Sequence, residues 1–138
     1  MILFKFDMAQ AILEGRKTVT RRRGKRRWKV GALHQCYTRP AFARPPGEPF
    51  ARVRIVSVTF EANPGSSIRL GGNTVADYDA WFVALHAEGQ REGFDGWVEF
   101  GDAYERINGY AAIYQPCWRV EFALVEHLAP VEAQVKEA

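Results

Sequence analysis

The sequence has few of the residues that hold metals or build disulfide frameworks. Two cysteines and three histidines are spread over 138 residues. Cys36 and Cys117 stand far apart and form no C-x-x-C pair, so neither a zinc site nor a disulfide scaffold is expected. The two thiols read instead as small buried hydrophobes in a reducing, cytoplasmic setting. His34, His86 and His127 make no pattern with an acid or a nucleophile. Long apolar runs are missing, so no membrane span is expected, and Met1–Phe6 is too short for a signal peptide. Gly71-Gly72 lacks the Lys-Ser/Thr that a phosphate-binding P-loop requires. No metal, no cofactor and no internal repeat is expected. The most telling absence is of acid: from Gly15 to Gly47 there is no Asp or Glu.

That same window holds eleven of the nineteen Lys and Arg residues, and the remainder carries eight basic against sixteen acidic residues. An acidic body therefore bears a strongly basic N-terminal third. Such concentration favours a polyanionic partner, because each neutralised phosphate releases counterions. The plain alternative is a flexible basic loop with no specific partner. The densest part, Gly15–Lys29, contains nine Lys and Arg and interleaves Thr18 and Thr20 with Lys17 and Arg21. Hydroxyls among cations are what a phosphate- or nucleotide-handling site needs.

The length fits one domain, taken as residues 1–128 with a polar tail over 129–138. Ile2–Phe6 reads as a short strand. Asp7 fits an N-cap for a two-turn helix ending at Gly15. Thr18–Arg22 reads as extended, Arg23–Lys29 as an exposed loop and Ala32–Arg39 as a strand. Pro40, Pro45, Pro46 and Pro49 exclude a central strand or helix interior there. Phe50–Phe60 alternates as a strand, and Glu61–Asn73 reads as a loop. Thr74 and Asp77 resemble a capping box for a helix to Glu88, with Val75, Tyr78, Trp81, Phe82 and Leu85 as its apolar stripe. Gly96–Ile107 has helical spacing, and Cys117–Val125 alternates as a closing strand. The sum is an α+β chain: a small mixed β-barrel with helices packed on one side.

Three side chains stand out for chemistry. A Thr hydroxyl becomes a nucleophile only when a base takes its proton. A lysine serves as that base only if burial or neighbouring cations lower its pKa. Lys17 and Thr20, with Arg16, Arg21 and Arg22 nearby, meet the composition of such a pair. In one strand they would face opposite ways; with Lys17 on the turn after Gly15, both could face one cleft. Glu92, just past the second helix, is a carboxylate able to act as general acid or to bind an exocyclic amine. Trp28, Tyr37 and Phe42 lie in or beyond the basic segment, where stacking on bases is plausible.

The pattern G-x-K-x-x-T-x-R, filled by Gly15, Lys17, Thr20 and Arg22, is followed by Trp28-Lys29-Val30-Gly31, by Glu92-Gly93-Phe94 and by a hydrophobic closing strand. In this order the motifs resemble the ASCH domain family of the PUA-like superfamily, over Met1 to Val125. The resemblance implies a barrel of five or six strands with flanking helices and a cleft lined by these motifs. It also implies RNA or a modified nucleoside as partner. One bacterial branch is similar to amidohydrolases that deacetylate N4-acetylcytidine with a Lys, a Thr and a Glu; Lys17, Thr20 and Glu92 match these. In that reading Thr20 attacks the acyl carbon, Lys17 takes its proton and Glu92 protonates the leaving amine. Binding would fall to Arg16, Arg21, Arg22, Arg23, Lys25, Arg26, Arg27, Trp28 and Lys29. The alternatives are a non-catalytic RNA-binding module, a ribonuclease, and a regulatory or structural barrel. The chain departs from the short amidohydrolases in its Pro40–Pro49 insertion, its Glu61–Asn73 loop, its Gly96–Gly109 segment and its more basic Arg21–Lys29.

Overall fold

Five strands form one mixed sheet in a computed structural model of the protein, which describes residues 1–131. In chain order they are β1 (Ile2–Leu3), β2 (Val19–Arg22), β3 (Leu33–Tyr37), β4 (Pro49–Glu61) and β5 (Cys117–His127). Their spatial order is β1-β3-β4-β5-β2. Only β1 and β3 run parallel; the other neighbours are antiparallel. Register shifts at Arg52/Val53 and Ile55/Ser57 let the two long strands bend, and the sheet curls into a half-barrel. Its two edges, β1 and β2, meet at a seam bridged by a side chain: Arg22 Nη2 donates to the Leu3 carbonyl at 2.8 Å.

The alternation of β4 buries Phe50, Val53 and Ile55 against Val120 and Phe122 of β5, with Ile2, Phe4 and Cys36 completing the core. Helix α1 (Phe6–Leu13) covers this core through Ala9 and Ile12. It starts earlier than Asp7 suggests. The N-cap is Lys5 without a side-chain cap, and the expected strand stops at Leu3, because Phe6 already begins the helix. Its end follows the sequence signal. Gly15 takes φ 79°, its N–H bonds the Ile12 carbonyl at 3.1 Å and the Arg16 N–H bonds that of Ala11 at 2.9 Å, a Schellman turn. Cys36 and Cys117 are buried free thiols, and burial pushes both up to about 12.

Among the described residues all the remaining helical structure lies between β4 and β5. Helix α2 (Val75–Arg91) opens with the Thr74/Asp77 capping box. Helix α3 (Trp97–Asn108) and a 3-10 turn (Tyr110–Tyr114) build a second small core from Phe100, Tyr104 and Ala112, with Phe94, Trp97 and Ile113. The expected stripe on α2 is corrected. Val75, Tyr78 and Phe82 are exposed, because the helix packs through its C-terminal half, at Leu85, Glu88 and Gly89. Trp81 is half-buried and its indole N–H donates to the Ile68 carbonyl at 3.0 Å. Among the described residues no helix is long and apolar enough to cross a membrane. The tail expected over 129–138 lies, from residue 132 on, outside the described residues.

Candidate functional site

Lys17 sits on the turn between α1 and β2, not in the strand. Its side chain is 4% exposed, and its ammonium donates to the Val19 carbonyl at 2.7 Å, the Glu92 carbonyl at 2.8 Å and Glu92 Oε1 at 3.1 Å. Glu92 is the C-cap of α2. The next residue lets the two meet. Gly93 has φ 95°, and a Cβ there would lie 3.1 Å from Met8 Sδ and 3.3 Å from Lys17 Cβ. The Thr18 N–H also donates to the Arg91 carbonyl at 2.8 Å, docking the end of α2 on the entry to β2. Burial is the main reason the Lys17 pKa falls below its ordinary value; the Glu92 charge opposes the shift, and Arg22 and Arg21 add to it.

Arg21, expected to bind substrate, is a buried strut. Its Nε and Nη2 bond both oxygens of Glu61, at 2.7 and 3.2 Å, while Nη1 reaches Glu92 Oε2 at 2.8 Å and Glu88 Oε1 at 3.5 Å. Its guanidinium lies over the Trp97 and Phe100 rings, at 5.2 and 5.6 Å from their centres. Glu61 also accepts from the Gly65 N–H, the Ser67 N–H and the Ser67 hydroxyl, which pins the loop after β4. Burial alone would raise the Glu61 carboxyl, but the Arg21 hydrogen bond and charge outweigh it and hold it down to about 2. Arg119 faces Arg21 directly across the β5–β2 pair. Like charges in that position repel, and Glu88 separates them by accepting from Arg119 Nε at 2.9 Å. Three cations, Lys17, Arg21 and Arg119, are thus matched by Glu61, Glu88 and Glu92. Matching matters because an unpaired charge at such depth costs several kcal/mol.

Beside this network lies a cavity of about 500 Å³. Lys17, Thr20 and Glu92 all line it, as do Arg21, Arg22 and Arg23. Thr20 is buried, and its hydroxyl accepts from Arg22 Nε at 3.3 Å. Arg22 itself covers the Phe4 ring at 5.0 Å. Glu92 Oε1 meets a primary ammonium and Oε2 a guanidinium, so both carboxylate oxygens are fixed. Among the described residues no group of His, Cys, Asp and Glu could hold a metal ion.

Other expected binders fall elsewhere. Arg16 is exposed and tied to Glu14 at 2.7 Å, away from the cavity. Lys25, Arg26, Arg27 and Lys29 are exposed but do not line it. Arg23 is the one residue of the basic loop at its rim, donating to the Asn108 carbonyl at 3.2 Å and to Gln115. Trp28, expected to stack on a base, is half-buried against the main core, because the loop folds back over the sheet. Trp118 secures that loop by donating to the Gly24 carbonyl at 3.0 Å. Tyr37 is buried, whereas Phe42 is exposed.

Three residues of this charged network carry no sequence signal of their own, Glu61, Glu88 and Arg119, nor does Tyr104 on the cavity wall. Glu61 reads as the first residue of a loop, and Glu88 as a helix-end acid. Only the register that sets Arg21 opposite Arg119 reveals why buried acids are required there.

No protein-family model matches the sequence, and no characterised protein matches it by sequence comparison. Similarity appears among solved structures. A serine-to-alanine variant of the ASCH protein from Zymomonas mobilis superposes with a TM-score of 0.50 at 18% identity, over 91% of this chain and 66% of that one. The chain thus spans just under two thirds of the length of that protein. A DUF984 protein from Enterococcus faecalis gives a TM-score of 0.50 at 15% identity, over 96% of this chain and 85% of that one. At these identities the likeness concerns the fold alone. The curled five-stranded sheet with its three helices is an ASCH-like fold.

Proposed function

We propose that the protein is a nucleoside-handling hydrolase that removes an acyl group from a modified cytidine, with N4-acetylcytidine as the test substrate. The observation that carries this reading is the convergence of Lys17, Thr20 and Glu92 on one cavity of about 500 Å³, a size suited to a small organic ligand. Moving a proton along the 3.1 Å contact from Lys17 Nζ to Glu92 Oε1 yields a neutral amine and a neutral carboxyl together. The amine then takes the Thr20 proton as the hydroxyl oxygen attacks the acyl carbon. The carboxyl gives its proton to the departing cytidine nitrogen, leaving an acyl-threonine that water hydrolyses. Arg22, already bonded to the Thr20 hydroxyl, stabilises negative charge developing beside it. The lowered pKa of Lys17 favours the neutral amine this sequence requires.

The test is acetate release from N4-acetylcytidine. The wild type should turn over, and Lys17→Ala should fall by a factor of about a hundred or more. Equal rates for the two proteins, or none for the wild type, reject the reading.

A second reading is favoured by a different observation. Lys25, Arg26, Arg27 and Lys29 are exposed together on a loop held over the sheet, outside the cavity. This surface suits the phosphates of single-stranded RNA, whose affinity would fall steeply with salt. Salt-independent RNA binding, or none, rejects it.

A further inference from the structure

Helix α3 makes a distinctive wall of the cavity. Phe100, Ala103, Tyr104 and Ile107 all line it, at the i, i+3, i+4 and i+7 spacing of one helix face. Leu3 of β1, Phe4 just after it and Met8 of α1 also line it. Apolar groups from two separate parts of the chain therefore bound one space, and Leu3 and Ile107 are partly exposed beside it. Tyr104 lines the cavity and is 5% exposed, yet its hydroxyl is closed off from that space and has no hydrogen-bond partner among the described residues, so a ligand atom meets it only after a small shift of the lining side chains. Buried hydroxyls are rarely left so, because an unmade hydrogen bond costs stability. The charge at the mouth is balanced. The exposed charged residues lining the cavity are Lys5, Arg23 and Arg106 against Asp7, Glu99 and Asp102. At that mouth a phosphate meets as many carboxylates as cations, unlike one approaching the Lys25–Lys29 surface, while deeper in Lys17, Arg21 and the half-buried Arg22 stand against Glu92 alone.

We propose that this cavity takes a flat, uncharged heteroaromatic group between the α3 face and the Leu3–Met8 side, and that Tyr104 determines specificity by hydrogen-bonding a polar atom at the buried end of that ring. The proposal rests on the nucleoside reading above. It adds the residue that selects the base, the uncharged state of the ligand and the independence of this site from the basic loop. The Tyr104 hydroxyl both donates and accepts, so it serves a ring nitrogen or an exocyclic oxygen equally. Phe94 and Phe100 add apolar contact to the lining, with Phe100 itself stacked on Trp97 at 4.9 Å.

The experiment is calorimetric titration with N4-acetylcytidine, its 5′-monophosphate and a short cytidine RNA, using the full chain and two variants. The wild type should bind the nucleoside, and Tyr104→Phe should weaken binding about tenfold. The melting temperature of ligand-free Tyr104→Phe should hold or rise, since the variant removes an unpaired hydroxyl. Ala103→Trp fills the slot, so it should abolish nucleoside binding while leaving RNA binding and the circular dichroism spectrum intact. Unchanged affinity in Tyr104→Phe overturns the proposal, as does a fall in both its affinity and its melting temperature. A monophosphate that binds more than about tenfold tighter than the nucleoside, or RNA that displaces the nucleoside, also overturns it. Acetate release, measured separately, keeps the two readings apart. Turnover with an indifferent Tyr104→Phe sinks this proposal alone. Binding that depends on Tyr104 without turnover sinks the hydrolase reading alone. Neither binding nor turnover sinks both.

Discussion

Glu92 is held from both sides: Lys17 on one oxygen, Arg21 on the other, with Arg21 in turn gripped by Glu61. Removing any one partner strands a charge at full burial. Arg21→Ala is therefore expected to cost about 3–5 kcal/mol, read by urea unfolding. Glu61 adds a pH dependence whose sign follows from its lowered pKa. The unfolded carboxyl protonates near 4.5 and the folded one near 2, so the unfolded state binds the proton first as pH falls. The stabilisation is complete above about 4.5, is lost as pH falls toward 2, and amounts to roughly 3 kcal/mol. Glu61→Gln should be less stable than wild type at neutral pH and should lose this part of the acid dependence; a wild-type slope between pH 5 and 2 in that variant would contradict the assignment. Activity should titrate differently. Lys17 and Glu92 share the single proton that the mechanism uses, so kcat/KM should fall as pH rises through the lowered Lys17 pKa, where the pair loses it. Arg22 helps to lower that pKa, so Arg22→Gln should move the limb to higher pH.

Helix α2 shows what the sequence discloses about an element and what it withholds. Thr74 and Asp77 are a local signal, satisfied within four residues, and the capping box is present as the spacing predicts. Thr74→Ala should cost about 1 kcal/mol in thermal or urea unfolding. The packed face is not local. Val75, Tyr78 and Phe82 have the right spacing for a core stripe, but the fully buried residues of the helix, Leu85, Glu88 and Gly89, all lie in its C-terminal half. Nothing in the periodicity tells which half of an amphipathic helix will be covered. The same limit hid Glu61 and Glu88, whose burial depends on the pairing of β2 with β5. The Glu92-Gly93 turn was legible as a motif, though the reason for the glycine was not. Gly93→Ala places a methyl against Met8 and Lys17 at positive φ, so it should destabilise by about 1–3 kcal/mol and loosen the Lys17–Glu92 contact.

At the scale of the whole molecule, the basic N-terminal third divides into two surfaces. Lys17 to Arg22 enters the interior, where Lys17 and Arg21 are neutralised by acids from β4, from α2 and from its C-cap. Lys25 to Lys29 stays outside, over the sheet. Net charge along the sequence foretold a concentration of cations, but not that two of them, Lys17 and Arg21, would be buried with acids in the interior. If the outer loop recruits RNA, Lys25→Glu with Arg27→Glu should flatten the salt dependence of RNA affinity by about two contacts while leaving nucleoside turnover unchanged. The central claim, that Thr20 attacks an acyl carbon in this cavity, has a direct chemical signature. The protein is mixed with N4-acetylcytidine, quenched in acid and digested for mass spectrometry. The account predicts an acetyl group on the peptide carrying Thr20, absent in Thr20→Val and in Lys17→Ala. Acetate release by wild type without that adduct under any quench time, and undiminished in Thr20→Val, would contradict it.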